Sequence, residues 1–152
     1  MPSVPVKLNA TYDTAKKKFV AAKVRVKPAH DTKDAGYLIK QSKAKKAVAD
    51  KGYTKEQLHQ LADEQGTILL VPLKKNIKRG RYRKKHQASF NIKTYHRREL
   101  VKASFSSIKR KMGSSVSAKK ARTIRTEVLC RLACHNITGK KKSRFRTKPE
   151  RI

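Results

Sequence analysis

Positive charge constrains this sequence more than any other feature. Lys and Arg supply 41 of its 152 residues and Asp and Glu only 10, a formal net charge of +31. Self-repulsion on that scale opposes a compact fold unless a polyanion offsets it. Solubility alone asks for a net charge of about 2–8 in a small domain. The excess therefore points to nucleic acid, whose phosphates release condensed counterions when Lys and Arg engage them. A membrane surface is the weaker polyanion. No apolar run approaches a spanning length, and the cations are spread along the whole chain instead of along one face of one helix.

The length suits one domain with extensions, and the 37% of apolar residues suffice for a modest core. The first residues contain no sustained apolar stretch of the signal-peptide kind. Cys130 and Cys134, four apart on an expected helix, read as small apolar residues in a reducing, cytoplasmic compartment. No second Cys/His pair completes a metal set, so neither a metal nor a cofactor is expected.

Periodicity organises the chain. Residues 7–13 alternate, with Leu8, Ala10 and Tyr12 on one side. Residues 19–26 alternate again, with Val20, Ala22, Val24 and Val26 opposite Lys23 and Arg25. The two segments read as a hairpin. Asp31 or Thr32 is placed to cap a helix through 43, with Asp34 in its first turn. A short strand over 45–50 precedes a helix that Thr54 and Gln57 would open as a capping box and Gly66 would end. The continuous apolar run 67–73 reads as a buried strand, and the stretch 74–91 as a basic loop without helical period. From Tyr95 onward, Val101, Phe105, Ile108 and Met112 form a buried helical stripe ended by Gly113. Ser117 would cap a last helix with Ala121, Ile124, Val128 and Leu132 inside and Gly139 as its stop. Strands alternating with helices give an α/β domain over 7–138 with one mixed sheet, an extended N-terminus over 1–6 and a basic tail over 139–152.

Two acids stand out. Asp13 ends the first strand and Asp50 ends the strand after the first helix. On neighbouring strands their carboxylates would meet at one sheet edge, as a divalent-metal site for phosphoryl transfer requires. The segments around them, ATYDT and ADKGY, together with GRYRKK and YHRRELVKASFSSIKRKMGSS, resemble the catalytic domain of insertion-sequence DDE transposases over about residues 7–137. The resemblance implies an RNase H-like mixed sheet flanked by helices. It places the family's first two catalytic acids at Asp13 and Asp50. Its most specific element is Tyr, two residues, Arg, three residues, Glu, six residues, Lys, and Tyr95, Arg98 and Lys109 match it.

The departure falls at the Glu of that pattern, where this chain has Lys102. A protonated amine cannot ligate a metal ion. Lys102 is expected instead to pair with Asp13 and Asp50 as a fixed substitute for the metal, leaving a vestigial, non-catalytic site. Glu99, one turn earlier, would reach a metal only after a shift of about 4.5 Å along the helix, and Glu127 has no counterpart as a ligand. The family's usual N-terminal DNA-end-binding region has no match ahead of the first strand, so a truncated copy is expected.

The cations expected to meet phosphate are Lys74, Lys75, Lys78, Arg79, Arg81, Arg83, Lys84 and Lys85 in the basic loop. Arg97, Arg98, Lys109, Arg110 and Lys111 flank the long helix. Lys119 and Lys120, with Arg122 and Arg125, line the last helix, and Lys140, Lys141, Lys142, Arg144 and Arg146 lie in the tail. Charge on a face, a loop and a tail is the style of ribosomal proteins. The expected function is therefore non-catalytic, RNA favoured over DNA, with the ribosome as partner. The alternatives are a DNA-acting transposase or nuclease fragment and a non-catalytic DNA-binding protein.

Overall fold

A computed structural model of the chain describes residues 6–28, 30, 32–73 and 79–144, with the backbone alone over 140–144. The first two strands, β1 (Lys7–Asp13) and β2 (Lys18–Arg25), form the expected antiparallel hairpin. Its faces differ from simple alternation at one place. The register shifts at Thr11/Tyr12, so that Tyr12 pairs with Phe19 and Thr11 with Ala21, and Val20 drops out of the ladder as a bulge. Phe19 thereby joins Ala22 and Val24 on the inner side, while Val20 is 51% exposed.

Helix α1 (Thr32–Ser42) packs against both strands of the hairpin and against the unit that follows it. Asp34 is not merely a first-turn acid. It is buried and receives both Arg25 Nε and Nη2, at 2.7 and 2.6 Å, and Asn9 Nδ2 at 3.0 Å. The Arg25 guanidinium, aided by Asn9 and Lys23, holds its carboxyl below the usual range against the opposing effect of burial. This fork ties α1 to both strands.

The next unit runs β3 (Lys46–Val48), a one-turn 3-10 helix (Lys51–Tyr53), α2 (Glu56–Glu64) and β4 (Ile68–Leu70), with β3 and β4 parallel. Both strands are shorter than the expected 45–50 and 67–73. The capping box is also absent: Lys55 is the N-cap of α2 and makes no side-chain cap bond. A first core gathers Ala35, Ile39, Leu58, Ala62, Leu69 and Val71.

The described strands form two separate two-stranded sheets, not one mixed sheet. One residue of the hairpin's free edge is engaged by a side chain of the last helical segment: Asn136 accepts from Phe19 N at 2.8 Å and donates to Phe19 O at 2.9 Å, the pair of bonds a further strand would make at that point.

The remaining chain is helical: α3 (Arg81–Ala88), α4 (Ile92–His96), α5 (Arg98–Met112) and α6 (Ala121–Arg144). A second core joins Phe19, Ile108 and Leu132, with Leu8, Tyr12, Phe105 and Met112 against it. Three expectations change here. The segment 81–88 is helix and not loop, because its inner face docks on α2. Gly139 does not stop α6, so the part of the expected tail up to Arg144 is helical. Ala121 is exposed, while Ile124, Val128 and Leu132 form the inner stripe as expected. Gly113, at φ 81°, ends α5 as expected. The expected cap Asp31 lies outside the described residues.

Candidate nucleic-acid interface

Asp13 and Asp50 do not share a sheet edge. β1 pairs with β2 and β3 with β4, and each carboxylate is used locally. Asp13 Oδ1 accepts from Ala15 N and Lys16 N, both at 2.9 Å, closing the hairpin turn. Asp50 caps the 3-10 helix by accepting from Lys51 N at 2.8 Å and receives Arg98 Nη1 at 2.9 Å. The Lys51 N–H first, then Arg98 and the charge of Lys102, hold the Asp50 carboxyl below its usual range, against a smaller effect of burial.

Arg98 is set by what lies beneath it. Its guanidinium stands 4.6 Å from the centroid of the buried Tyr95 ring, in cation–π contact. Asn91 caps α4 by accepting from Lys93 N at 2.8 Å, which fixes the turn that presents Tyr95. The Tyr and Arg of the sequence pattern thus act as a unit, with Asp50 as their anionic partner.

Lys102 does not bridge the two aspartates. Its ion pair is with Glu99, at 3.7 Å, on the exposed side of α5, and Glu99 also stands 4.0 Å from Arg98. The cation seated on Asp50 is Arg98, because its longer planar fork reaches the capping carboxylate from one turn earlier. Glu99 thus stands between two cations, and Asp50 receives one of them.

The DDE resemblance implies divalent metal ions, and the residues present do not fit them. Among the described residues no three of His, Cys, Asp and Glu gather where they could hold a metal ion. Asp13 accepts from the amides of its own turn and Asp50 receives Arg98.

The expected phosphate contacts divide into three sets. Arg79, Arg81, Lys84, Arg97, Lys109, Arg110, Lys111, Lys119 and Lys120 are exposed. Arg83 and Lys85 are partnered: Arg83 Nε donates to Glu56 at 2.8 Å, and Lys85 Nζ to Asp63 at 2.7 Å. Lys74, Lys75, Lys78 and Arg146 lie outside the described residues, as do the side chains of Lys140, Lys141, Lys142 and Arg144. Cys130 and Cys134 are exposed and unpaired. No helix of the described residues is long and apolar enough to cross a membrane.

Sequence reading missed the bracket between α2 and α3. Glu56 accepts from Tyr82 N at 2.8 Å and Arg83 N at 3.3 Å, so it caps α3 from another helix. Burial pushes its carboxyl up, yet these N–H groups and the Arg83 guanidinium outweigh burial and leave it lowered. Deeper in, His59 and His86 are both buried, with Nδ1 atoms 3.0 Å apart. Leu69 N donates to His86 Nδ1 at 3.4 Å, and His86 Nε2 faces Asp63 at 3.3 Å. This assigns the shared proton to His59 Nδ1 and leaves His59 Nε2 as a buried acceptor with no partner. The available signal was the spacing of Glu56, His59 and Asp63, three and then four residues apart on one face of α2.

The chain matches the transposase DDE domain family over residues 4–137. It belongs to that family. No curated protein and no solved structure gives a significant match. Membership directs the excess charge toward DNA, the polymer on which transposases act, and gives the ribosomal expectation no support. An RNase H-like architecture is implied by the family alone, and the structure itself shows a mixed α/β domain with two small sheets among the described residues.

Proposed function

We propose that this member of the transposase DDE domain family is a non-catalytic DNA-binding protein that engages duplex DNA through the phosphate backbone. The observation that carries the proposal is Arg98 seated on Asp50 at 2.9 Å, with Lys102 close enough to lower the same carboxyl. Where the family resemblance calls for acids that concentrate metal charge, this corner balances Asp50 and Glu99 with Arg98 and Lys102. A balanced corner gives divalent cations little attraction, while the chain's excess of Lys and Arg still draws it to phosphate, so affinity for DNA persists without a means of activating water or a 3′ hydroxyl. The lysine at 102 belongs to this reading, in which a transposase-derived domain has kept binding alone.

The test is incubation with supercoiled plasmid in Mg²⁺ or Mn²⁺. Retarded but unnicked plasmid is expected, with retardation falling steeply as salt rises. Metal-dependent nicking that disappears in Asp50→Ala or Asp13→Ala would overturn the reading. Crosslinking in cells is expected to recover genomic DNA, and predominant recovery of ribosomal RNA would return the ribosomal alternative.

A further inference from the structure

We propose that α3 is a phosphate-binding helix, bracketed on α2 by Glu56 and Asp63 so that Arg81 and Lys84 are presented to the backbone of duplex DNA. The inference rests on the DNA-binding reading and gives it a phosphate contact.

At about 100° per residue, Tyr82, Arg83, His86 and Phe90 share one side of α3 and its C-terminal extension, while Arg81, Lys84 and Ala88 share the opposite side. The structure uses those sides differently. Tyr82, Arg83 and Phe90 are half-buried and His86 is buried, whereas Arg81, Lys84 and Ala88 are exposed. Arg83 is spent on Glu56 and on the carbonyl of Thr54, the latter at 3.3 Å, and Lys85 is bound to Asp63. Arg81 and Lys84 have no ion pair among the described residues. Ala88 on the same stripe leaves room for close approach.

The bracket gives this helix a fixed attitude. An eight-residue segment of which four residues are Lys or Arg has little reason to hold a helix by itself. Here Glu56 satisfies two N-terminal amides, Asp63 takes Lys85 and His86, and the His59–His86 contact seals the inner face. Gly80 at φ 117° lets the chain enter, since a Cβ there would run into the Glu56 carboxylate and the Arg83 guanidinium. Glu56 and Asp63 are among only 10 acids in the chain, yet they stand against its most basic helix. They act as positioning residues for cations they do not neutralise.

The experiment measures binding of a short labelled duplex by fluorescence polarisation across a salt series. Wild type is compared with Arg81→Ala/Lys84→Ala, with the equally charge-reducing control Lys16→Ala/Lys40→Ala, and with Glu56→Gln, all checked for folding by circular dichroism. The α3 double variant is expected to weaken binding about tenfold or more and to reduce the log–log salt slope by about 2, at about 0.9 per lost phosphate contact. The control is expected to change affinity less than about twofold, since exposed cations away from the contact act only through the distant, screened field. Glu56→Gln raises the net charge, so charge alone would tighten binding, whereas loss of the bracket is expected to weaken it about threefold or more. An α3 variant no worse than the control, or a folded Glu56→Gln protein that binds as tightly as wild type or tighter, overturns the inference while leaving the DNA-binding reading intact. Failure of the wild type to bind duplex overturns both.

Discussion

Acidification should loosen the α2–α3 bracket through His59, well before the carboxylates titrate. Burial first, then the neighbouring His86 and Arg83, push the His59 imidazole from 6.5 down to about 4, and Glu56 opposes this only in part. A second proton would have to sit on Nε2, which is buried without a partner. The unfolded chain binds that proton near 6.5 and the folded one only near 4. Stability is therefore complete above about 6.5 and declines as pH falls through this window. The linkage amounts to about 2 kcal/mol between neutral pH and about pH 5, a large part of a small domain's margin. At that pH the lowered carboxyls of Asp34, Asp50, Glu56 and Asp63 remain ionised and contribute little to the change. His135, also lowered by burial and by Lys111, works in the same direction, so the diagnostic quantity is a difference between proteins. Urea unfolding of wild type should lose about 2 kcal/mol from about pH 7 to about pH 5. His59→Gln, which keeps a donor toward His86 but cannot ionise, should lose much less. Equal losses in the two proteins would refute the assignment, as would an imidazole titration of His59 near its ordinary value.

Three further outcomes follow from the contacts described. Asn136→Ala removes both side-chain bonds to Phe19 and should cost about 2 kcal/mol in urea unfolding, with faster exchange of the Phe19 amide. Asp34→Ala leaves Arg25 facing a buried, empty position and should cost about 2 kcal/mol, less than a fully buried pair because Arg25 is partly exposed. Gly80→Ala should leave the α1 and β4 amides protected in hydrogen exchange while those of Tyr82 and Arg83 exchange faster, because the new Cβ displaces the Glu56 cap.

Elements with a long apolar period were legible in the sequence. The hairpin, α1, α2 and the buried stripes of α5 and α6 follow from spacings that can be counted along the chain, and Gly113 ends α5 where its φ of 81° requires a residue without a side chain. The bulge at Val20 was hidden, since alternation assigns Val20 inward and only Phe19's packing on Ile108 and Leu132 reverses it. The segment 81–88 reads as loop because its helix depends on Glu56 and Asp63, which lie more than twenty residues away and contribute nothing to local propensity. At the candidate site, the Tyr95–Arg98 spacing was accessible through the sequence pattern. The partner of Lys102 was not, because Asp13 and Asp50 share a site only if their strands share a sheet.

The sequence by itself determined that this chain carries far more positive charge than solubility needs, that it has transposase DDE features, and that Lys102 follows Arg98 by four residues. Those are properties of composition and order, and folding cannot change them. The tertiary structure decided which charges are spent and which remain available. Arg98, Arg83 and Lys85 are committed to Asp50, Glu56 and Asp63, while Arg81 and Lys84 are left exposed. That division depends on carboxylates brought from distant parts of the chain to within about 3 Å, the range over which a charge-assisted hydrogen bond forms.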